Sequence, residues 1–250
     1  MSKSYAEQVQ ILRNGGLTEA AEKLSNFQTA YSVFHGQTPS TRLVEFIDFY
    51  NFLSVEKERL GVTGNNLRNT VGVLFEDYLT NVMIECCRGY DRLDVFNQVK
   101  TQFGRYILWE RGQLREVRPS ELSDIVVGYC LTNSAITPTV GTWPKPIVRR
   151  LEVTQEVMPL LLVSSKVRVS QPEFFDWLGR AQLMAKGHPH CLTIQIALRK
   201  EMDLNVIEVA QSTDHWFQIG DGHEGQVRPI QDGMERLLQH ILEHFRNRLT

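Results

Sequence analysis

The chain has 250 residues, 42% of them hydrophobic, enough for one large core or a core with a small appendage. Its 27 Lys and Arg nearly balance 29 Asp and Glu for a formal net charge of −2, which neither announces nor excludes a nucleic-acid partner, since bases gathered on one face can hide in a neutral sum. MSKSYAEQVQ has no apolar signal core and no run of about 18 apolar residues exists, while Cys86, Cys87, Cys130 and Cys191 show no CxxC or zinc spacing; the expectation is a cytoplasmic protein with reduced thiols and no membrane span.

Residues 4–24 read as helical, with Gly15-Gly16 as a break, and 40–60 as a second helix starting at a Ser/Thr cap. After Gly61 and Gly64 a long helix is predicted over 66–88, where Leu67, Val71, Leu74, Tyr78 and Val82 recur at helical spacing. The pattern then turns to strands. Residues 105–111 and 113–117 alternate about a turn at Arg111-Gly112, which predicts a hairpin, and SDIVVGYCL (123–131) reads as a third strand. Residues 132–150 are rich in Pro, Gly and Thr and read as a loop. MPLLLVSSKVRV (158–169) is a strand, and 171–186 an amphipathic helix with Phe174, Trp177, Leu178, Ala181 and Met184 on one side, ended by Gly187-His188-Pro189. CLTIQIAL (191–198) is another strand, 200–230 is mixed, and 231–248 is a final helix. This order predicts an α/β fold with a central mixed sheet flanked by helices, and the 171–186 helix has the length of a crossover between parallel strands. The expected organisation is one domain over 1–250, with helical additions at both ends (1–64 and 201–250) around a core at 65–200.

The strand LLLVSSKVRVS raises a question, because a lysine at the end of a buried strand needs a partner. Ser164 and Lys166 share a face with Leu160 and Leu162, so this face passes from apolar to polar as the strand leaves the core. Asp124 opens its strand similarly and shares a face with Val126 and Gly128. Neighbouring strands would hold Asp124 and Lys166 a few ångströms apart, either as a structural ion pair or as part of a metal-dependent phosphodiesterase site. In the second case the Asp holds Mg²⁺, which keeps several waters and polarises a phosphate, and the Lys stabilises developing charge.

The helix with GVLFEDYL, the hairpin, the strands opening with SDIVV and ending in SSK, the helix, and CLTIQIALR follow one another in an order that resembles the PD-(D/E)xK nucleases, and within them type II restriction endonucleases. The resemblance covers about residues 65–200 and rests on order and context more than identity. It implies a Mg²⁺-dependent hydrolase cutting double-stranded DNA at a short specific site, with Asp124 binding metal, Lys166 catalytic, and Glu76 on the helix before the sheet beside the site. Gly72, one turn before Glu76, leaves room there. It further implies a homodimer acting on a palindrome and a partner DNA methyltransferase. The acid usually found two residues before the lysine is Ser164 here. Some similar enzymes then use a Glu from the following helix; at that spacing this chain has Leu178, Gly179 and Arg180. The nearest acids are Glu173 and Asp176, so the second metal carboxylate is Glu76 or Glu173. Glu173 also fits a capping box in Ser170-Gln171-Pro172-Glu173, and Asp176 an ion pair with Arg180. The alternatives are a non-catalytic DNA-binding or repair protein of the same fold, and an unrelated interaction protein.

For DNA contact the loop offers Lys145, Arg149 and Arg150, with Trp143 beside prolines; structureless loops of that length are uncommon unless functional. Its bland reading is a surface loop anchored by Trp143. Arg168 and Lys186 are further phosphate candidates. His240 and His244 lie four apart, but without a third ligand they read as solvated helix residues. GDGHEG (220–225) lacks the Lys-Ser/Thr of a phosphate loop and reads as a turn between strands. The wide apolar surface of the last helix either closes the core or meets a partner.

Overall fold

The computed structural model describes residues 5–32, 37–90, 93–102, 106–110, 112–117, 120–130, 138–139, 148–149, 157–202, 206 and 215–249. Four helices come first: α1 (Tyr5–Asn14), α2 (Thr18–Ser32), α3 (Pro39–Glu56) and α4 (Gly64–Cys87). The break between α1 and α2 falls at Gly15-Gly16, and Gly16 takes a φ of +75° that a residue with a Cβ rarely adopts. Thr38 caps α3 by accepting from the Thr41 amide, and Pro39 occupies the first turn, where no N–H is needed.

The strands are β1 (Asp94–Gln102), β2 (Tyr106–Glu110), β3 (Gln113–Val117), β4 (Ser120–Cys130), the two-residue β5 (Pro138–Thr139) and β6 (Val148–Arg149), then β7 (Val157–Ser170). Helix α5 (Gln171–Gly187) leads to β8 (Leu192–Glu201), β9 (Trp216–Gln218), β10 (Gly220–Asp221) and β11 (Arg228–Pro229), and α6 (Gly233–Leu249) ends the chain. The main sheet runs β5-β6-β1-β4-β7-β8-β9, so five strands carry it beyond the two short ones at one edge. It is mixed: β1–β4 and β4–β7 are antiparallel, and β7–β8 and β8–β9 are parallel. Helix α5 is the predicted crossover.

Strand alternation sorts the side chains into two layers. Ile125, Val127, Leu161, Val163, Ile194, Ile196 and Leu198 face the large core shared with α3, α4 and α6. Val126 and Leu162 face the other way, with Met184 of α5. Phe174, Trp177 and Ala181 of α5 pack on Val169, Ala197 and Trp216 on that same side. Gly128 marks the tightest approach: a Cβ there would lie 2.3 Å from the Met158 carbonyl, at the register shift between β4 and β7.

Three sequence expectations change, the first being that residues 138–139 and 148–149, read as loop, pair as the short strands β5 and β6. The hairpin β2–β3 forms, but as a separate two-stranded sheet. The main sheet instead pairs β4 with β1, whose sequence DVFNQVKTQ carries too many polar residues to read as a strand. The stripe Met234, Leu237, Ile241 and Phe245 of α6 is buried in the main core, each large side chain stabilising the fold by about 1.5–3 kcal/mol, so this face closes the chain's own core instead of meeting a partner. GDGHEG comprises β10 (Gly220–Asp221) and the start of its connection to β11, with Gly222 and Gly225 at positive φ. Among the described residues no helix is long and apolar enough to cross a membrane.

Candidate functional site

The register places a polar row across the sheet face that α5 covers. Ile125 pairs with Val163 and Val126 with Leu162, which sets Asp124 beside Ser164; Ser164 in turn pairs with Gln195 of β8. These residues line a cleft of about 360 Å³ together with Lys166 and, from α5, Glu173 and Trp177.

Asp124 is fixed by its neighbour strand. Its Oδ2 accepts from the Ser165 amide at 2.8 Å and the Ser165 hydroxyl at 3.4 Å, and lies 4.0 Å from Lys166 Nζ. That answers the question posed by SSK: the lysine faces a carboxylate across the strand boundary, in a half-open setting where 41% of its side chain stays exposed. Asp124 Oδ1 accepts no hydrogen bond among the described residues.

Glu173 reaches the cleft from the first turn of α5. The Ser170 amide donates to its Oε2 at 2.8 Å and the Ser170 hydroxyl at 2.6 Å, so the capping box forms. Burial alone would raise its pKa. The Ser170 hydrogen bonds and the charges of Lys166 and Arg168 outweigh that and hold it below the ordinary carboxylate value. Its other oxygen, Oε1, has no partner among the described residues, so the cap leaves one carboxylate oxygen for the cleft.

Glu76 goes elsewhere. Helix α4 covers the opposite sheet face, and Glu76, 7% exposed, does not line the cleft. Both its oxygens accept from Gln98 Nε2 at 3.0 Å. Gln98 has a φ of +55°, and both it and Asn97 reach α4, Asn97 at Thr80, before Val99 returns to the α5 face. This irregular point in β1 lies level with Asp124 of β4. Glu76 thus holds the strand next to Asp124 from behind. The space beside Gly72 is open.

Arg168 pairs with Glu201 at 3.3 Å, and Glu201 also accepts from Arg199 at 2.7 Å, so a phosphate would compete with Glu201 for Arg168. Asp176 pairs with Arg180 along α5, as its spacing predicts. Trp143, Lys145 and Arg150 lie outside the described residues. Arg149 is described only through its backbone in β6, beside Phe96. Burial pushes the Cys191 thiol up to about 12, so it stays protonated and supplies no thiolate to the site.

The donor set suits a hard cation. Two carboxylate oxygens without partners among the described residues, in one cleft with a lysine, match Mg²⁺, which takes one or two carboxylates and completes its shell with waters and phosphate oxygens. Among the described residues no three His, Cys, Asp or Glu side chains form a metal-holding group. Sequence reading passed over Gln195. Its signal was there: a polar residue inside the apolar strand LTIQIAL.

These layers and this strand order define a restriction-endonuclease-like α/β fold. One solved structure that shares it is the native BbvCI A2B2 tetramer, determined at low resolution. The match has a TM-score of 0.54 at 10% sequence identity, over 98% of this chain and 85% of that one. BbvCI is a restriction endonuclease; at this identity the likeness speaks for the fold alone. No protein-family model matches the chain, and no curated protein matches it.

Proposed function

We propose that this protein is a Mg²⁺-dependent type II endonuclease that hydrolyses a phosphodiester bond of double-stranded DNA. The observation that carries the reading is the convergence of Asp124 and Lys166, 4.0 Å apart, at the mouth of a cleft that Glu173 also enters. The fold supports it, since BbvCI shares it. Asp124 and Glu173 would hold the metal, which when bound polarises the phosphate and lowers the pKa of a water. The Ser165 amide keeps Asp124 in place and leaves Oδ1 available. Lys166 donates to a phosphate oxygen and offsets charge as the reaction proceeds. Ser164, lacking charge, takes the position of the second acid and serves at most as a hydrogen-bond partner. In the reaction the water oxygen bonds to phosphorus, one bridging P–O bond breaks, and the water's proton ends on the departing alkoxide.

A twofold dimer on a palindrome, a partner methyltransferase, and DNA contacts from Trp143, Lys145, Arg149 and Arg150 belong to the same reading. A second reading draws on Ser164: with an acid missing beside the lysine, the same cleft would bind DNA without cutting it. Supercoiled plasmid incubated with and without Mg²⁺ separates the two. Cutting that needs Mg²⁺ and disappears in Asp124→Asn supports the nuclease. Salt-sensitive duplex binding with no cutting supports the binder, and no duplex affinity even at low salt refutes both.

A further inference from the structure

Gln195 sits at the floor of the cleft, in register with Ser164 and one strand further from Asp124. Its neighbours Ile194 and Ile196 face the large core, so alternation turns Gln195 to the α5 side. The residue is fully buried, and neither its Oε1 nor its Nε2 has a hydrogen-bond partner among the described residues. An unpaired buried amide is destabilising at both ends, and an apolar residue of equal size would pack there at lower cost. Nothing in the folding of β8 asks for this side chain.

The chemistry of the amide limits what fits it. A bare cation would engage only the carbonyl, and a phosphate only the NH₂. A water lying against a phosphate engages both, donating to Oε1 while the phosphate oxygen accepts from Nε2. Hydrolysis brings those two species together in this cleft. Neutrality matters as well, because an acid at this position would repel the phosphate and compete for Lys166.

We infer that Gln195 is a further substrate-binding residue of the site: its amide, closed off in the free protein, turns toward the cleft when substrate enters, the carbonyl then holding the attacking water and the NH₂ an oxygen of the scissile phosphate. The inference rests on the nuclease reading of the cleft. It makes a prediction that a packing role does not: replacing the amide improves the free protein and impairs the reaction.

The test uses the full chain with Gln195→Met, close in shape and apolar. Its melting temperature should equal or exceed that of the wild type by about 2–4 °C. Single-turnover plasmid cleavage with Mg²⁺ should slow by about 100-fold. In ¹⁵N-labelled wild type, the Gln195 side-chain amide signals should shift on adding a short duplex with Ca²⁺ in place of Mg²⁺, a readout that needs neither turnover nor the variant to fold. Cleavage by Gln195→Met at the wild-type rate overturns the inference and leaves the nuclease standing. So does a lower melting temperature with full activity, or an amide unmoved by duplex. A wild type that cuts nothing overturns the inference and the nuclease reading together.

Discussion

Lys166→Met separates an ion pair kept for stability from one kept for chemistry. The lysine lies 4.0 Å from Asp124 Oδ2, with 41% and 23% of the two side chains exposed. At that distance the Coulomb energy is about 4 kcal/mol for an effective dielectric of 20, but solvent competes for half-exposed charges, and such pairs contribute about 0–1 kcal/mol in practice. Met keeps the aliphatic stem and its packing, and Asp124 keeps the Ser165 amide. The melting temperature should therefore fall by no more than about 4 °C. The rate should respond far more strongly, because a positive donor aimed at developing charge in a sheltered site is worth about 3–4 kcal/mol, or 100- to 1000-fold. Calorimetry of the variant beside single-turnover plasmid cleavage gives both numbers. A large loss of stability with little loss of rate would mean that the pair is structural and that the site has been misread.

Glu173 does two jobs that substitution can divide. Gln retains the capping box, so Glu173→Gln should melt with the wild type yet cut poorly, whereas Glu173→Ala should also lose about 1 kcal/mol of helix stability; equal cleavage by Gln and Glu would remove Glu173 from the metal site. His244 of α6 donates from Nε2 to the Leu160 carbonyl at 3.0 Å, and burial, with Arg248 and His240 nearby, holds its pKa below the ordinary value. Its neutral form is the one that folds, so its contribution is complete above about pH 6.5 and declines as the unfolded chain takes up a proton below that. Denaturant midpoints from pH 7.5 to 5 should fall more steeply for wild type than for His244→Gln; parallel curves would contradict this. Gly128→Ala would drive a Cβ to 2.3 Å from the Met158 carbonyl and 3.0 Å from Pro159 Cα, both backbone, and should lower the melting temperature by about 5 °C or more. An unchanged melting temperature would show that β4 and β7 can part there freely.

Much of the fold was legible because local patterns set it. Helical spacing, the Gly15-Gly16 break, the apolar runs of β4, β7 and β8 and the length of α5 each report on their own segment, and together they point to a mixed sheet with a parallel crossover. Strand alternation alone put Ser164 and Lys166 on one face. What the sequence could not carry is partnership between distant segments. The hairpin β2–β3 is a sound local prediction, but whether it joins the main sheet depends on which strand takes the edge of β4, and polar β1 took it with support from Thr80 and Glu76 on α4. The same applies to the acids. Glu76 and Glu173 look equivalent along the chain; only the layering of α4 and α5 on opposite sheet faces sends one to Gln98 and the other to the cleft. Gln195 reads as a blemish in an apolar strand until the register sets it beside Ser164, because a hydrogen-bond deficit is a property of the packed interior and has no meaning in a single segment.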